Sequence, residues 1–331
     1  MSGTVDHRSP PVRGPVLDVL IPHHADPVGL SEALDSVAAQ NWLREASNRL
    51  RVIVVDDGSD PADFTAAQHA CARFRDSSGQ ALVLERLPQN LGRPAARNRL
   101  LDMADAPYLA WLDAGDVWYP DKLEAQFACL ATLEAAGDDP RRLWVSCAYD
   151  FAQGGRRRPR QQAVAGDQLH TMLMGDHLRA YLWTLLGRAE AFRIAGRFDT
   201  RLPRLQDLDY CLTFLRAGGL IVVPPDPAPM CCYYKSDLGR DADQIAACYR
   251  LILAKNAPCI RQYPRAFRAR LRHKAAALAA RFARSNGEHG KAARYLLQAA
   301  LTNPSHSLAL TAHGARRRLQ TWRARIAPVA R

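Results

Sequence analysis

Over the first 112 residues, short apolar runs alternate with stretches in which apolar residues recur every three or four positions. Val16 to Pro22 is a mostly apolar run stopped by proline, the pattern of a buried strand. Pro27 to Gln40 follows with Leu30, Leu34, Val37 and Ala38 on one helical face. The alternation repeats as a strand over Arg51–Val55, a helix over Phe64–Phe74, a strand over Ala81–Leu87, a helix over Gly92–Ala104 and a strand over Tyr108–Leu112. Because each strand is a continuous apolar run, the pattern predicts an α/β fold whose mainly parallel sheet is covered on both faces.

Past residue 130 the pattern loosens. After a helix over Pro120–Leu133, it predicts a strand over Leu143–Phe151 and an arginine-rich loop over Gln153–Gln162. A short apolar segment at Tyr181–Leu186, a helix over Leu208–Ala217 and a strand over Leu220–Pro224 follow. From Asp241 the chain reads as helix, with Ala275–Arg284 and Ala292–Leu301 pairing as a hairpin about Gly287 and Gly290. The expected organisation is a flexible N-terminus at 1–15, an α/β domain at 16–238 divided near 130, and a helical extension at 239–331.

Polar residues gather where the apolar runs stop, at His23-His24, Asp56-Asp57, Asn90 to Arg93 and Asp113 to Asp116. In an open α/β sheet, ligands bind at the carboxyl ends of the strands, so these clusters are expected to converge on one crevice.

Composition narrows the class. With 48% hydrophobic and 24% charged residues, disorder and disulfide-scaffold classes are excluded. No uncharged apolar run reaches the roughly 18 residues of a membrane span. Met1 to Gly14 lacks an apolar core and reads as a ragged start, not a signal peptide. Eight cysteines without a CxxC pair read as reduced thiols of a cytosolic protein. Formal charge is −6 over residues 1–130, +3 over 131–240 and +15 over 241–331. The basic end fits either an anionic partner or a solvated helical surface. No aromatic interleaving supports nucleic acid as that partner.

Three carboxylate segments carry candidate chemistry. Asp56-Asp57-Gly58-Ser59 suits a carboxylate that accepts from a base or ribose, and equally a turn with a helix cap. Asp113-Ala114-Gly115-Asp116 suits a divalent cation bridging phosphates, or an Asp-rich turn. Asp207, ahead of an apolar helix, reads from the residues alone as a helix cap.

Leu20-Ile21-Pro22, Val54-Val55-Asp56-Asp57-Gly58-Ser59, Asn90-Leu91-Gly92-Arg93-Pro94-Ala95-Ala96-Arg97-Asn98 and Trp111-Leu112-Asp113-Ala114-Gly115-Asp116 occur in one order. Together they resemble the nucleotide-sugar half of a family 2 glycosyltransferase of GT-A fold, over roughly residues 16–225. The resemblance implies a Rossmann-like sheet flanked by helices, with residues 16–130 as the nucleotide-sugar half and 131–238 as the acceptor half. It also implies an inverting transfer from a nucleoside diphosphate sugar to a hydroxyl acceptor, in cell-surface polysaccharide or glycoconjugate synthesis.

Carried over, Pro22 and His24 line the nucleotide pocket, Asp57 reads the base with Asp56 beside it, and Arg93 and Asn98 lie near the base and diphosphate. Asp113 and Asp116 match the outer carboxylates of the family's D-x-D-D element and would hold Mg²⁺ or Mn²⁺. Gly115 replaces the inner carboxylate, which should weaken that site and makes Arg93 and Arg97 plausible partners of the diphosphate. After Gly196-Arg197-Phe198-Asp199, Asp207 matches the catalytic base and Asp209 the acid that follows it. Trp118, Arg188 and Asp209 are the acceptor-side candidates.

The expected partners are the donor and a glycan or lipid-linked acceptor, with the basic extension meeting an anionic membrane at its cytoplasmic face. Two alternatives stay open, a catalytically degenerate nucleotide-sugar sensor or scaffold and a nucleotidyltransferase. The latter lacks a glycine-rich, lysine-bearing phosphate loop, and no G-x-G-x-x-G supports a dehydrogenase.

Overall fold

The computed structural model describes residues 16–45, 47–234 and 241–308. The expectations for the N-terminal 15 residues and for the helical extension beyond residue 308 therefore lie outside the described residues. The chain packs as two units, one comprising residues up to 200 together with 206–235, the other 201–205 together with residues from 236 onward.

The first unit begins as the hydrophobic pattern predicts. β1 (Leu17–His23), α1 (Pro27–Ala38), β2 (Leu50–Asp56), α2 (Pro61–Ser78), β3 (Ala81–Arg86), α3 (Arg93–Met103) and β4 (Tyr108–Trp111) alternate in sequence. Local chemistry sets the helix starts. Asp26 caps α1 by accepting from the Gly29 N–H at 2.9 Å, and Asp60 caps α2 by accepting from Ala62 and Asp63. Each is followed by a proline at the first helical position, where a missing N–H costs nothing. Such caps contribute about 1 kcal/mol each.

The rest of the unit holds β5 (Val117–Trp118), α4 (Lys122–Ala135), β6 (Leu143–Val145), β7 (Tyr149–Gln153) and β8 (Arg156–Arg160). These are followed by α5 (Gln168–Met174), β9 (Leu186–Arg188), α6 (Ala189–Ala195), α7 (Gln206–Arg216), β10 (Leu220–Val222) and β11 (Cys231–Tyr234). Seven strands form the central sheet in the order β10-β6-β9-β4-β1-β2-β3, all parallel to their neighbours except β9. A second sheet runs β5-β11-β7-β8.

One face of the central sheet presents Leu17, Val19, Ile21, Val52 and Val54 to Leu30, Leu34, Val37 and Phe74 of α1 and α2, all nearly sealed from solvent. Full burial of such side chains stabilises by about 1.5–3 kcal/mol each. On the other face α3 packs across β1 and β2, and Trp111 meets Phe198 edge-on with centroids 5.5 Å apart.

Three expectations change. The single strand at 143–151 is two, because the chain leaves the central sheet after Val145 and joins the second at Tyr149. The arginine-rich loop at 153–162 is a hairpin, turned by Gly154 and Gly155, both at positive φ. Every residue of β8 is exposed, so no apolar alternation marked it as a strand. The apolar segment at 181–186 feeds β9, which inserts antiparallel between β4 and β6.

The second unit contains α8 (Ala242–Lys255), α9 (Ala257–Ile260), α10 (Arg265–Ser285) and α11 (His289–Thr302). α10 and α11 form a hairpin turned at Gly287, with φ +76°. Asp243 of α8 ties it together, accepting from Tyr295 (2.5 Å), Arg294 (2.7 Å) and Lys291 (3.0 Å) of α11. Leu297 and Leu301 of α11 stay exposed. Among the described residues no helix is long and apolar enough to cross a membrane.

Candidate active site

The strand order reverses between β1 and β4, since β2 and β3 continue on one side and β9 and β6 on the other. A crevice opens at such a switch point beyond the carboxyl ends of the strands. The clusters after β1, β2 and β4 all emerge there.

After β1, Pro22 is half-buried and His24 exposed, with His24 Nε2 3.0 Å from the Asn90 amide. His23, the other member of the His23-His24 cluster, is buried. Its Nδ1 donates to Asp56 Oδ1 at 2.8 Å and its Nε2 accepts from Asp26 N. Asp56 also accepts from the Ser59 N–H (3.1 Å) and hydroxyl and is fully enclosed. It therefore fixes the turn after β2 and offers no surface to a ligand, a correction to its expected contact with the nucleotide. Asp57, 4% exposed, spends both oxygens on the loop ahead of α3, accepting from Leu91 N (2.8 Å) and Gly92 N (2.9 Å), so it shapes that loop instead of meeting the base directly as expected. Gly58 is obligatory beside it, because its φ is +67° and a Cβ would lie 2.3 Å from the Gln89 carbonyl carbon.

α3 carries three residues toward this region. Arg93, in its first turn, is exposed and makes no ion pair among the described residues. Arg97, one turn on, is 2% exposed and donates through Nη2 to both oxygens of Asp113, at 2.8 and 3.0 Å. Its Nε and Nη1 are buried and meet no acceptor among the described residues. Asn98 was expected near the nucleotide. It faces inward instead, its amide donating to Phe198 O (3.0 Å) and accepting from Phe198 N (2.8 Å). A side chain with both ends so used is a brace for the turn at Gly196–Asp199.

That brace leads to Asp207. The Phe198 ring stacks on Tyr210 of α7 at 4.1 Å, and Tyr210 lies 5.5 Å from Trp144, which also stacks on Phe214. Asp207, in the first turn of α7, is half-buried; its Oδ1 accepts from Leu208 N at 2.9 Å, and its Oδ2 accepts nothing among the described residues. Burial pushes its carboxyl up, opposed by the Arg97 guanidinium and the Leu208 N–H, while Asp113 adds to the rise. Asp207, Arg97 and Asp113 are thus within electrostatic reach of one another. Asp209, on the same helix, is buried at 3% exposure.

For Asp113, burial works against the charged form, yet Arg97 and then Arg93 hold the carboxyl below its usual value. Asp116 behaves oppositely. Burial and the charge of Asp113 push it well above the carboxylate range, and its Oδ1 accepts from Tyr234 N at 3.3 Å. Gly115 between them has φ +90°, and a Cβ there would lie 3.4 Å from Asp26 Oδ2. A carboxylate at 115 would be strained and would face another carboxylate. Among the described residues no group of three or more potential ligands converges on a cation position. With Asp113 committed to Arg97 and Asp116 turned toward β11, the side chains present do not fit the Mg²⁺ or Mn²⁺ site expected at Asp113 and Asp116.

Residues 18–189 match the family described as Glycosyl transferase family 2. The chain belongs to glycosyltransferase family 2. It is 29% identical over 213 residues to the amylovoran biosynthesis glycosyltransferase AmsB of Erwinia amylovora, covering 63% of this chain and 67% of that protein. An uncharacterized glycosyltransferase of Rickettsia prowazekii is 25% identical over 220 residues, covering 63% and 61%. The chain thus spans about 60–67% of the length of these relatives.

Solved structures share its GT-A fold. TarS 1-349 of S. aureus in complex with UDP-GlcNAc aligns with TM-score 0.59 and 18% identity, over 89% of this chain and 83% of that one. The mannosyltransferase PcManGT of Pyrobaculum calidifontis, in complex with GDP-Man and Mn²⁺, aligns with TM-score 0.54 and 20% identity, over 97% and 86%.

Two acceptor-side candidates of this family 2 chain are corrected by their positions. Trp118 is 3% exposed, its indole N–H donating to Trp183 O at 3.1 Å with the Lys122 ammonium 4.0 Å above its ring. It is core and cannot stack on a sugar. Arg188 pairs in register with Tyr108, where β4 begins, and binds Glu134 at 3.0 Å. It therefore sits at the opposite end of the sheet from Asp113. Two residues outside the candidate set do shape the site: Phe198, detectable as the aromatic of the G-R-F-D turn, and Tyr234, for which the sequence carried no signal.

Proposed function

We propose that this family 2 glycosyltransferase moves a sugar from a nucleoside diphosphate donor to a hydroxyl acceptor with inversion at the anomeric carbon. One observation carries the reading: a half-buried carboxyl, Asp207, whose Oδ2 accepts nothing among the described residues, lies within electrostatic reach of Arg97, Asp113 and Arg93. A base that must take a proton from a hydroxyl gains from a raised pKa, because the proton then has a better destination. Asp207 would remove the acceptor proton as its oxygen attacks the anomeric carbon. The bond from that carbon to the diphosphate breaks on the opposite face. Arg93, exposed and without an ion pair among the described residues, is suited to meet the departing diphosphate, where developing negative charge needs a fixed positive partner. Asp57 holds the 90–92 loop against which the base of the nucleotide would lie.

Likeness to the amylovoran enzyme supports a polysaccharide or glycoconjugate product. The excess of positive charge after residue 240, with Leu297 and Leu301 exposed, supports contact between the second unit and an anionic lipid surface at the cytoplasmic side, where lipid-linked acceptors would be met.

Melting of the protein with UDP, GDP, dTDP and CDP tests the donor reading. A nucleotide at 100 times its Kd should add about 2.7 kcal/mol to stability, and Asp57→Ala should abolish the effect. No response to any of the four would overturn the donor site and favour the scaffold alternative.

A further inference from the structure

Arg97 stands in a setting unusual for a structural arginine. It is almost fully buried, spends one nitrogen on Asp113, and leaves Nε and Nη1 without acceptors among the described residues. Unmet buried donors on a charged group are costly, and sequences rarely retain them without a use. The Phe198 ring lies 5.6 Å from the guanidinium carbon, and the Asp207 carboxyl is within electrostatic reach. The guanidinium therefore pairs with the carboxylate expected to hold a cation and acts on the carboxyl proposed as base. The carboxylate expected at 115 is missing, and the backbone there is in a conformation that disfavours its return.

We propose that Arg97 takes the part of a divalent cation in this chain, so that the donor is bound without one. This rests on the donor reading above. Asp113 then serves as the anchor that keeps the guanidinium in place, not as a metal ligand. The fixed charge of Arg97, acting through a water-poor interior, and the exposed Arg93 together offset the diphosphate. An ion pair built into the fold needs no ordering when the donor arrives, which is the advantage of preorganised charge.

The test is calorimetric titration of the full chain with the same four nucleotides, once in EDTA and once in Mn²⁺, for the wild type, Arg97→Gln and Arg97→Lys. For whichever nucleotide binds, the wild-type Kd should agree between the two buffers within about twofold. Arg97→Gln should lose about tenfold or more in EDTA and regain most of it in Mn²⁺, because the freed Asp113 can then ligate the ion. Arg97→Lys, which keeps the charge, should bind in EDTA within a few-fold of wild type and guards against a glutamine variant that fails to fold. Electron paramagnetic resonance of free Mn²⁺ should be unchanged by wild-type protein alone.

A wild-type affinity that collapses in EDTA, or an Arg97→Gln loss equal in both buffers, would overturn the proposal. Absence of nucleotide binding in either buffer would be a different failure, removing the donor site itself and this inference with it.

Discussion

Where β1 and β2 begin, Asp18 is fully buried and every part of it is answered: Arg51 donates to both its oxygens at 2.9 and 2.8 Å, and the N–H groups of Asp105 and Ala106 add two more bonds at 3.0 Å. Toward the other end of the sheet Asp56 and Asp57 are answered as fully, but beyond β4 and on α7 the pattern changes: Asp113 shares one nitrogen of Arg97, burial and Asp113 push the Asp116 carboxyl up, and Asp207 Oδ2 accepts nothing among the described residues. Both ends bury carboxylates, and those left incompletely answered all lie beyond β4. We read that difference as a separation of the residues that hold the fold from those proposed to bind.

The comparison can be broken most severely at Asp207. Asp207→Asn should lower the rate of transfer by about 10²–10⁴-fold while donor binding, followed by calorimetry, stays close to wild type. A variant retaining full turnover would end the assignment of the base. The pH profile sharpens the same point. The base must be ionised to act, and burial raises its pKa. Activity should therefore fall, as pH is lowered, at a pH above the ordinary carboxylate range near 4. An acid limb at or below that range would contradict the burial argument.

At the opposite end the effect should be on stability alone. Asp18→Ala strands the backbone donors of Asp105 and Ala106 and leaves Arg51 only its exposed partner Asp105, which should cost about 1–3 kcal/mol in denaturant unfolding. Donor affinity of the folded fraction should not move. Asn98→Ala tests the brace between the two functions. Losing both bonds to the Phe198 backbone should cost about 1–3 kcal/mol, and the rate should suffer more than donor affinity because α7 loses its support. The smallest effect belongs to Arg188→Gln. Its pair with Glu134 is partly solvated, so stability should change by less than about 1 kcal/mol, with no change in kinetics.

Much of the first half of the fold was legible because each of its strands is an apolar run and the first helix shows a clear apolar face. Asp57, Arg93 and Asp113 could be singled out since they follow those runs directly. The second half was harder for physical reasons. β8 is held by a glycine turn and hydrogen bonds, with all its side chains exposed, so composition disguised it as a loop. Asn98 and Asp56 have the right chemistry for a ligand contact, but their hydrogen bonds are consumed internally, and residue type alone cannot tell a polar group that faces a ligand from one that braces a turn. Arg188 was misjudged because β9 runs antiparallel, which carries it to the start of β4 instead of its end.

The connection from α3 through Asn98 to Phe198, and from Phe198 through Tyr210 to α7, has an engineering consequence. Arg93, Arg97 and the segment bearing Asp207 are referenced to one helix, as two instruments are bolted to one rail. The tip and the β8 strand of the β7–β8 hairpin are exposed and contribute no member of this linkage. A change at that tip should therefore leave the spacing between α3 and Asp207 as it is.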